Sequence, residues 1–425
     1  MKKKTISLTA LLLSLSILLG GCGKSDKNKD SDETANVITQ SGAESSDSES
    51  RNTQTMSSEE YSQMWDEFNG ETTAKQELVI NTVDYTTRYG YNSLSDDEKA
   101  LYKAILEAAQ TCTFKINVTD KVTTDIWAKI YGMVFNQEPQ LFYMNPKIKV
   151  GKIYFNENDP VLIAKMQGQI DETVNKVLSE AKDKPTTAEK LKVFHDYIVL
   201  NNNFGLKDNE AGYNSTIYSA FYHGEGSDDL QCAGYAKAMQ YLCDQAGIES
   251  MVVTGANKDG ATHAWNVVNV DGAWYNLDTT WDDPILKTVD PANIRYNYLL
   301  VSDSWTREIS HFKINQLKLS TGTVTYFDPP ACTETKENYF VRNNKVYSDT
   351  AAAEKAIKDA LLEASKNKAH TAQIMVSSKD VYDALQDKVL DYNTWIKENG
   401  SNNIKGIANN SNAAMMIVEL DIIYN

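Results

Sequence analysis

Cys232, His263 and Asp278 follow one another within a short stretch of the chain, and their side chains are of the types that carry out acyl transfer. In such a site a thiol attacks a carbonyl group, an imidazole moves the proton, and a carboxylate orients the imidazole. The three residues stand in different local patterns. The chemistry therefore requires a fold that brings the three side chains together.

Cys232 begins a helical pattern. Small and apolar residues recur after it at helical spacing, and Gly247 stands where a helix commonly ends in a left-handed residue. Residues 227–229 offer side chains for capping the start of this helix. We predict that Cys232 lies in the first turn, where backbone N–H groups and the helix dipole stabilise a thiolate and a developing oxyanion.

His263 and Asp278 fall on two predicted strands that are joined by a tight turn. Asp271-Gly272 fits a two-residue type I′ turn, in which both residues have positive φ. The antiparallel register extended from this turn pairs His263 with Thr280. It also makes His263 and Asp278 diagonal neighbours on one face, with backbones roughly 7–8 Å apart. A slip of one residue would send Asp278 to the opposite face.

Each of these features also has a structural explanation. A His–Asp pair across a hairpin is more often structural than catalytic, and a lone cysteine at a helix start usually belongs to the core. The combination of all three residues in a chain whose N-terminus has the pattern of an export signal favours catalysis. We interpret His195 as a packed or surface histidine, and Cys112, Cys243 and Cys332 as structural.

The N-terminus has the pattern of an export signal. Three lysines at positions 2–4 precede an apolar run over residues 8–19, and Gly20-Gly21-Cys22 follows. This segment resembles a bacterial lipoprotein signal, in which the cysteine is lipidated after cleavage. The alternative is an ordinary secretory signal with an incidental cysteine. The polar residues up to about position 58 bury too little apolar surface to fold, so we predict a flexible tether.

Composition limits the function classes. The net charge of −16 argues against binding to nucleic acid and to anionic lipid surfaces. The five cysteines show no zinc-knuckle spacing and the five histidines are scattered, so we expect no metal and no cofactor. The folded body of ~370 residues is long enough for two or three units.

Periodicity predicts the elements around the three residues. Before them we predict four helices, at 96–108, at 125–135, from 160 to the break at Pro185, and from 187 onward. We also predict a strand at 141–144 and a strand pair at 148–155 with a bulge at Gly151. After them we predict a hairpin at 339–347 turning at Asn343-Asn344, helices at 351–365 and 379–397, and strands at 372–376 and 415–424.

Residues 229–284 resemble the transglutaminase-like superfamily, which has a papain-like thiol site. The resemblance rests on the segments Gln231-Cys232-Ala233-Gly234-Tyr235-Ala236, Gly260-Ala261-Thr262-His263-Ala264-Trp265-Asn266 and Trp274-Tyr275-Asn276-Leu277-Asp278-Thr279-Thr280-Trp281-Asp282. It implies that Cys232 is the nucleophile, His263 the general base and acid, and Asp278 the orienting carboxylate. Gln231 departs from the small or aliphatic residue of many bacterial members. Tyr218 and Tyr222 are candidates for the additional oxyanion donor.

The resemblance implies an α+β fold with a papain-like core, in which the helix that carries the cysteine packs on an antiparallel sheet that carries the histidine and the aspartate. A helical N-terminal region and a small C-terminal α+β domain flank this core. The predicted divisions are a signal peptide at 1–21, a lipidated tether at 22–58, an N-terminal α+β region at 59–184, the catalytic domain at 185–327 and an accessory domain at 328–425.

The predicted function is that of a thiol enzyme, lipid-anchored at Cys22 on the extracytoplasmic face of the cell membrane. It acts on amide bonds through a thioester, and we favour peptide hydrolysis. The expected partners are peptide or protein substrates, among them cell-wall or surface proteins, and the membrane through the lipid, with no nucleic acid. The alternatives are a protein-crosslinking transglutaminase and a non-catalytic module that binds a peptide, a glycan or a partner lipoprotein.

Overall fold

The computed structural model describes residues 83–205, 212–224, 227, 229–256, 260–283, 294–307, 311–313, 315–319, 322–401 and 403–425. The predicted signal peptide, Cys22 and the tether lie outside these residues. Among the helices of the described part, none is both long and apolar enough to cross a membrane.

The N-terminal region is mainly helical. A 3-10 turn at Tyr85–Thr87 precedes helices α1 (Tyr89–Asn92), α2 (Asp96–Gln110), α3 (Thr124–Gln137), α4 (Pro160–Lys182), α5 (Thr187–Asn201) and α6 (Ile217–Phe221). Local sequence explains their starts. Ser95 and Glu98 form the predicted capping box of α2, Pro160 occupies the first turn of α4, and the Thr186 side chain caps α5.

The central part of the chain builds a helix-on-sheet layer. Helix α7 (Cys232–Ala246) is followed by strands β1 (Ser250–Ala256), β2 (Thr262–Val270) and β3 (Ala273–Leu277), helices α8 (Thr279–Asp282) and α9 (Asp303–Arg307), and strands β4 (Phe312–Lys313), β5 (Gln316–Leu319) and β6 (Gly322–Thr325). The antiparallel sheet has the order β3-β2-β1-β4, and β5 and β6 pair separately. Helix α7 packs against β1 and β2.

The turn between β2 and β3 has the predicted chemistry. Asp271 and Gly272 have φ of 53° and 88°, as a type I′ turn requires. The ladder extends from the pair beside this turn to Asn266 opposite Leu277, in the predicted register. Local turn chemistry therefore sets the alignment of the two strands.

The predicted pairing of His263 with Thr280 is wrong. Strand β3 ends at Leu277, and Asp278 is the N-cap of helix α8. The Asp278 carboxylate accepts hydrogen bonds from the backbone N–H groups of Thr280 and Trp281, and this cap starts a helical turn where we predicted extended chain.

Two predictions of strands before helix α7 are also wrong. Residues 141–144 are buried but form a turn, with only a single bridge from Met144 to Phe155. Gly151, which we predicted to lie in a bulge, has φ of 73° in a tight turn that the Lys152 N–H closes by donating to the Lys149 carbonyl oxygen. Burial of apolar residues here is achieved without an extended ladder.

The C-terminal part forms an α+β unit. Its elements are helix α10 (Tyr339–Arg342), strand β7 (Val346–Tyr347), helix α11 (Thr350–Asn367), strand β8 (Thr371–Val376), helices α12 (Lys379–Gln386) and α13 (Val389–Asn399), and strands β9 (Ile404–Asn409) and β10 (Ile417–Tyr424). The sheet order is β7-β8-β10-β9, with β7 and β8 parallel. The predicted hairpin at 339–347 is wrong, because the Asn338 side chain caps a helix there. The helix predicted at 379–397 is two helices, and β9 was not predicted.

The buried apolar residues fall into separate clusters. The largest spans the N-terminal helices, α7 and its sheet, and another lies within the C-terminal unit. A smaller cluster lies between them, where Tyr298 and Trp281 pack with Met375 and Ile417. The predicted α+β fold class, with a helical N-terminal part and an antiparallel central sheet, is confirmed, while the domain boundaries stay predictions.

Candidate active site

Cys232 is the first residue of α7, in the predicted first turn. Gln231 is the N-cap and its side chain makes no capping hydrogen bond, so the prediction that residues 227–229 cap this helix is wrong. The cysteine is 0% exposed and packs in a small cluster with Ala233, Ala236, Val252 and Ala264. The thiol thus lies at the positive end of a 15-residue helix, inside the protein.

Buried amide side chains fix α7 against the sheet. The Asn266 amide in β2 donates to the Ala236 carbonyl oxygen at 2.9 Å. The Val252 N–H in β1 donates to the Gln240 side-chain oxygen at 2.8 Å, while the Gln137 amide at the end of α3 donates to the Val252 carbonyl oxygen at 2.7 Å. Because a buried amide N–H or backbone N–H is costly to leave unpaired, these contacts favour one position of α7 on β1 and β2.

His263 lies at the second position of β2, opposite Gly255 of β1, and is 1% exposed. Its Nε2 atom is 2.6 Å from Oδ2 of Asp278. Its ring also hydrogen-bonds Cys232. Since Asp278 occupies Nε2, Nδ1 is the ring nitrogen available to the thiol. The three predicted site residues therefore form one hydrogen-bonded chain, and their catalytic roles stay predictions.

Each carboxylate oxygen of Asp278 accepts two hydrogen bonds. Its Oδ1 atom accepts from the N–H groups of Thr280 at 2.9 Å and Trp281 at 3.2 Å. Its Oδ2 atom accepts from His263 and from a second histidine, His311, whose Nε2 is 2.7 Å away. His311 is not among the residues predicted from the sequence. Apart from its residue type, nothing in the sequence around it signals this role.

The electrostatics follow from this arrangement. Burial opposes protonation of His263, but the charge and hydrogen bond of Asp278, together with Cys232, outweigh it and raise the pKa of His263 to about 10. Burial works against ionisation of Asp278, yet His263 and His311 hold its pKa well below the usual range. Burial lowers the pKa of His311. At neutral pH the site therefore favours a charged His263–Asp278 pair beside a neutral His311.

Another buried cluster lies near the first. His195 is 0% exposed, with Nε2 3.0 Å from Asp282 and Nδ1 3.1 Å from Asp196. The Tyr298 N–H donates to Asp282, and the Tyr298 carbonyl oxygen accepts from the Asp278 N–H. The backbone of Tyr298 thereby joins the two clusters. His195 is therefore packed in the interior, between Asp196 and Asp282.

His263, Asp278 and His311 each offer an atom that could bind a metal ion, and these atoms lie within 4.8 Å of one another. The distances from Asp278 Oδ2 to the two Nε2 atoms are those of hydrogen bonds. A bound zinc ion lies ~2 Å from each ligand, which requires the oxygen and the nitrogens to move apart. The present geometry fits shared protons better than a shared metal ion.

The other predicted residues lie as follows. The Tyr218 hydroxyl donates to Gln169 at 3.1 Å, and its ring stacks on Tyr222 at 5.1 Å. A role for either tyrosine as oxyanion donor stays a prediction. The Gln231 side-chain oxygen accepts from Ser215. The cysteines interpreted as structural are buried or half-buried, and no disulfide forms among the described cysteines: Cys112, Cys232, Cys243 and Cys332.

An α+β core in which a cysteine at a helix start meets a histidine on an antiparallel sheet and an acid directly after a strand of that sheet defines a papain-like class of protein. Residues 172–279 match the model of the Transglutaminase-like superfamily. The chain therefore carries a domain of the transglutaminase-like superfamily, as the sequence motifs predict.

Two curated proteins are similar to parts of the chain. Kyphoscoliosis peptidase of Homo sapiens is 26% identical over 136 residues, which cover 28% of this chain and 19% of that protein. Kyphoscoliosis peptidase of Mus musculus is 31% identical over 79 residues, which cover 16% of this chain and 12% of that protein. The chain thus spans less than a fifth of the length of either relative.

Two solved structures also show similarity. A TGase is 22% identical, with a TM-score of 0.23, over 26% of this chain and 31% of that chain. A proposed cysteine protease from Cytophaga hutchinsonii is 17% identical, with a TM-score of 0.22, over 31% of this chain and 41% of that chain.

Proposed function

We propose that the protein is a thiol enzyme that hydrolyses amide bonds of peptides or proteins, with Cys232 as nucleophile, His263 as proton carrier and Asp278 as orienting carboxylate. The observation that supports this proposal is the hydrogen-bonded chain from Cys232 through His263 to Asp278, set at the start of a helix. A protein that only binds its partner has no need of such a chain.

The reaction proceeds in two steps. The Cys232 sulfur attacks the carbonyl carbon, the C–N bond breaks, and the proton held on His263 passes to the leaving amine. His263 then takes a proton from water, which attacks the thioester and releases the acid and the thiolate. N–H groups in the first turn of α7 stabilise the negative oxygen in both steps. Asp278 keeps His263 oriented and stabilises its positive charge.

A peptide pool with and without a tagged primary amine tests the reaction. Residues 59–425 are incubated with glutamine-containing peptides under reducing conditions, and the products are read by mass spectrometry. New peptide termini support hydrolysis, whereas incorporation of the amine supports crosslinking transfer instead. Neither product, from several pools, favours a binding module.

Matched cysteine variants make this experiment specific. Cys232→Ala removes the proposed nucleophile, and we expect it to abolish product formation. Cys112→Ala removes a half-buried thiol whose pKa burial and Glu157 raise to about 12, so we expect normal activity. Equal activity of Cys232→Ala and the wild type would rule out the thiol mechanism.

We further propose that the enzyme is held on the extracytoplasmic face of the membrane by a lipid on Cys22. The support is the sequence pattern of residues 2–22, a basic start, an apolar run and two glycines before a cysteine. Labelled palmitate should be incorporated into the wild-type protein and not into Cys22→Ala. Release of the wild-type protein into the soluble fraction, without label, would exclude the anchor.

A further inference from the structure

His311 is a buried histidine that contacts the carboxylate of Asp278. It is 2% exposed, and its Nε2 is 2.7 Å from Asp278 Oδ2, the same oxygen that His263 contacts at 2.6 Å. Aromatic rings surround it: Trp265 at 4.7 Å, Tyr298 at 5.2 Å and Trp281 at 5.3 Å between ring centres. Because these rings pack around the imidazole, its position is fixed.

The shared oxygen determines where the protons of both imidazoles lie. An ionised carboxylate only accepts hydrogen bonds, so each histidine must present an N–H group to Asp278 Oδ2. Both rings therefore carry a proton on Nε2. In neutral His263 this leaves Nδ1 as an acceptor on the side of Cys232. The contact with Asp278 thus selects the His263 tautomer that thiol chemistry requires.

His263 and His311 share Asp278 Oδ2 as their hydrogen-bond acceptor, and each donor affects the other's bond. Each hydrogen bond withdraws charge from the carboxylate, so the second donor weakens the attraction that the first one experiences. The other Asp278 oxygen is already occupied by the Thr280 and Trp281 N–H groups. Without the donor at position 311, His263 would no longer share Asp278 Oδ2 with a second histidine. The attraction between His263 and this oxygen would then be stronger.

We propose that His311 is a positioning residue of the thiol site, which orients Asp278 and limits how strongly this carboxylate retains the proton of His263. This inference rests on the proposed function, since it assigns His311 a role in that site. In this role His311 need not touch a substrate or the sulfur. It acts through Asp278.

Two variants at position 311 separate the hydrogen bond from the packing. His311→Phe keeps a ring among the surrounding aromatic residues and removes the donor. His311→Gln retains an N–H donor close to the position of Nε2. Cys232 is alkylated with iodoacetate across a pH series in the presence of EDTA, which excludes a metal contribution from this site. Because iodoacetate is an anion, it alkylates Cys232 faster while His263 is protonated and positively charged. The alkylation rate therefore falls over the pH range in which His263 loses this proton.

We expect the decline in His311→Phe to move to higher pH by roughly half to one unit, the effect of losing one hydrogen bond to the shared oxygen. His311→Gln should restore the decline to near its wild-type position. An unchanged profile in a folded His311→Phe protein, or a shift to lower pH, would overturn the inference.

A measurement on the wild-type protein covers the case in which His311→Phe does not fold. NMR of the protein labelled with ¹⁵N-histidine reports the tautomer of each ring. We expect protons on Nε2 of both His263 and His311, and a His311 proton on Nδ1 alone would overturn the inference. Neither readout requires turnover of an amide, so a protein without the proposed activity would still give both results.

Discussion

Asp278 takes part in two separate arrangements through its two carboxylate oxygens. One oxygen caps helix α8, and the other accepts from two histidines. The first arrangement is part of folding, and the second belongs to the candidate site. Substitutions that keep one arrangement and remove the other can therefore distinguish them.

Asp278→Asn keeps a side-chain oxygen for the cap and removes the charge. We expect the rate of amide hydrolysis to fall at least ~100-fold, because the amide neither stabilises a charged His263 nor fixes its tautomer. Asp278→Ala should lose a further ~1 kcal/mol of stability with the cap. Peptide turnover and thermal unfolding of both variants check this. Wild-type turnover by Asp278→Asn would contradict the assigned role.

The raised pKa of His263 gives a pH dependence with a definite sign. Its pKa of about 10 means that the ring is charged at neutral pH and loses its charge as the pH rises through that value. The rate of Cys232 alkylation by anionic iodoacetate should therefore fall as the pH approaches 10, while the rate with neutral iodoacetamide should not. Parallel pH profiles for the two reagents would contradict a charged imidazole beside the thiol.

The sequence predicted the contact that a local turn signature specifies and missed one that no local pattern specifies. His263 and Asp278 are linked by a hairpin whose Asp-Gly turn has a local signature, so their proximity followed from turn chemistry. His311 reaches Asp278 from 33 residues further along. No pattern in the sequence encodes that contact, because it depends on how the chain returns to the sheet.

Gly234 allows the first turn of helix α7 to pack closely against residues 214 and 230. A Cβ atom at this position would lie 2.7 Å from the Asn214 carbonyl oxygen and 2.8 Å from the Leu230 side chain. We expect Gly234→Ala to lower the free energy of unfolding by ~1–3 kcal/mol, because the backbone at residue 214 must move. Displacement of α7 should also slow peptide turnover.

Gly168 is the matched control in helix α4. A Cβ atom there meets nothing within 4 Å. Gly168→Ala should stabilise the protein by ~0.5–1 kcal/mol, since alanine favours the helix. Denaturant unfolding of both variants gives the comparison. A loss of stability in Gly168→Ala equal to that of Gly234→Ala would show that close contact is not the cause.

Elements with strong periodicity and local caps were predicted well, and short buried segments were not. Helix α4 has both a proline start and a regular apolar face, and it forms as predicted. The segment 141–144 is equally apolar but too short for a period to distinguish a strand from a buried turn. At position 338, an asparagine side chain decides in favour of a helix over a hairpin.

Across the fold, Arg88 connects the N-terminal region to the helix of the candidate nucleophile. Its guanidinium contacts Glu138, just after α3, and Asp244 in α7, each at 2.9 Å, and all three side chains are buried. The Tyr102 hydroxyl also donates to Glu138. These contacts join α2, α3 and α7 far from the thiol.

Arg88→Met should destabilise the protein by ~3–5 kcal/mol, because it leaves two buried carboxylates without a counter-charge. Lys103→Met breaks an exposed pair with Glu107 and should change stability by at most ~0.5 kcal/mol. Chemical denaturation of the two variants under one condition checks this. Similar small effects would mean that water reaches the Arg88 cluster.

The C-terminal unit contacts the surroundings of the site as well. Arg295 binds Glu419 at 2.5 Å and Asp421 at 3.1 Å, and Met375 and Ile417 pack in the cluster that includes Trp281 and Tyr298. Those two aromatic residues surround His311. The unit predicted as accessory thus supports the walls of the candidate site.

The complete enclosure of the Cys232 sulfur has a kinetic consequence. Any reagent must wait for the protein to open transiently, so raising the dose of a small alkylating agent should speed modification only up to a ceiling. That ceiling measures the frequency of opening. A substrate that does not itself promote opening cannot reach Cys232 faster than the protein opens.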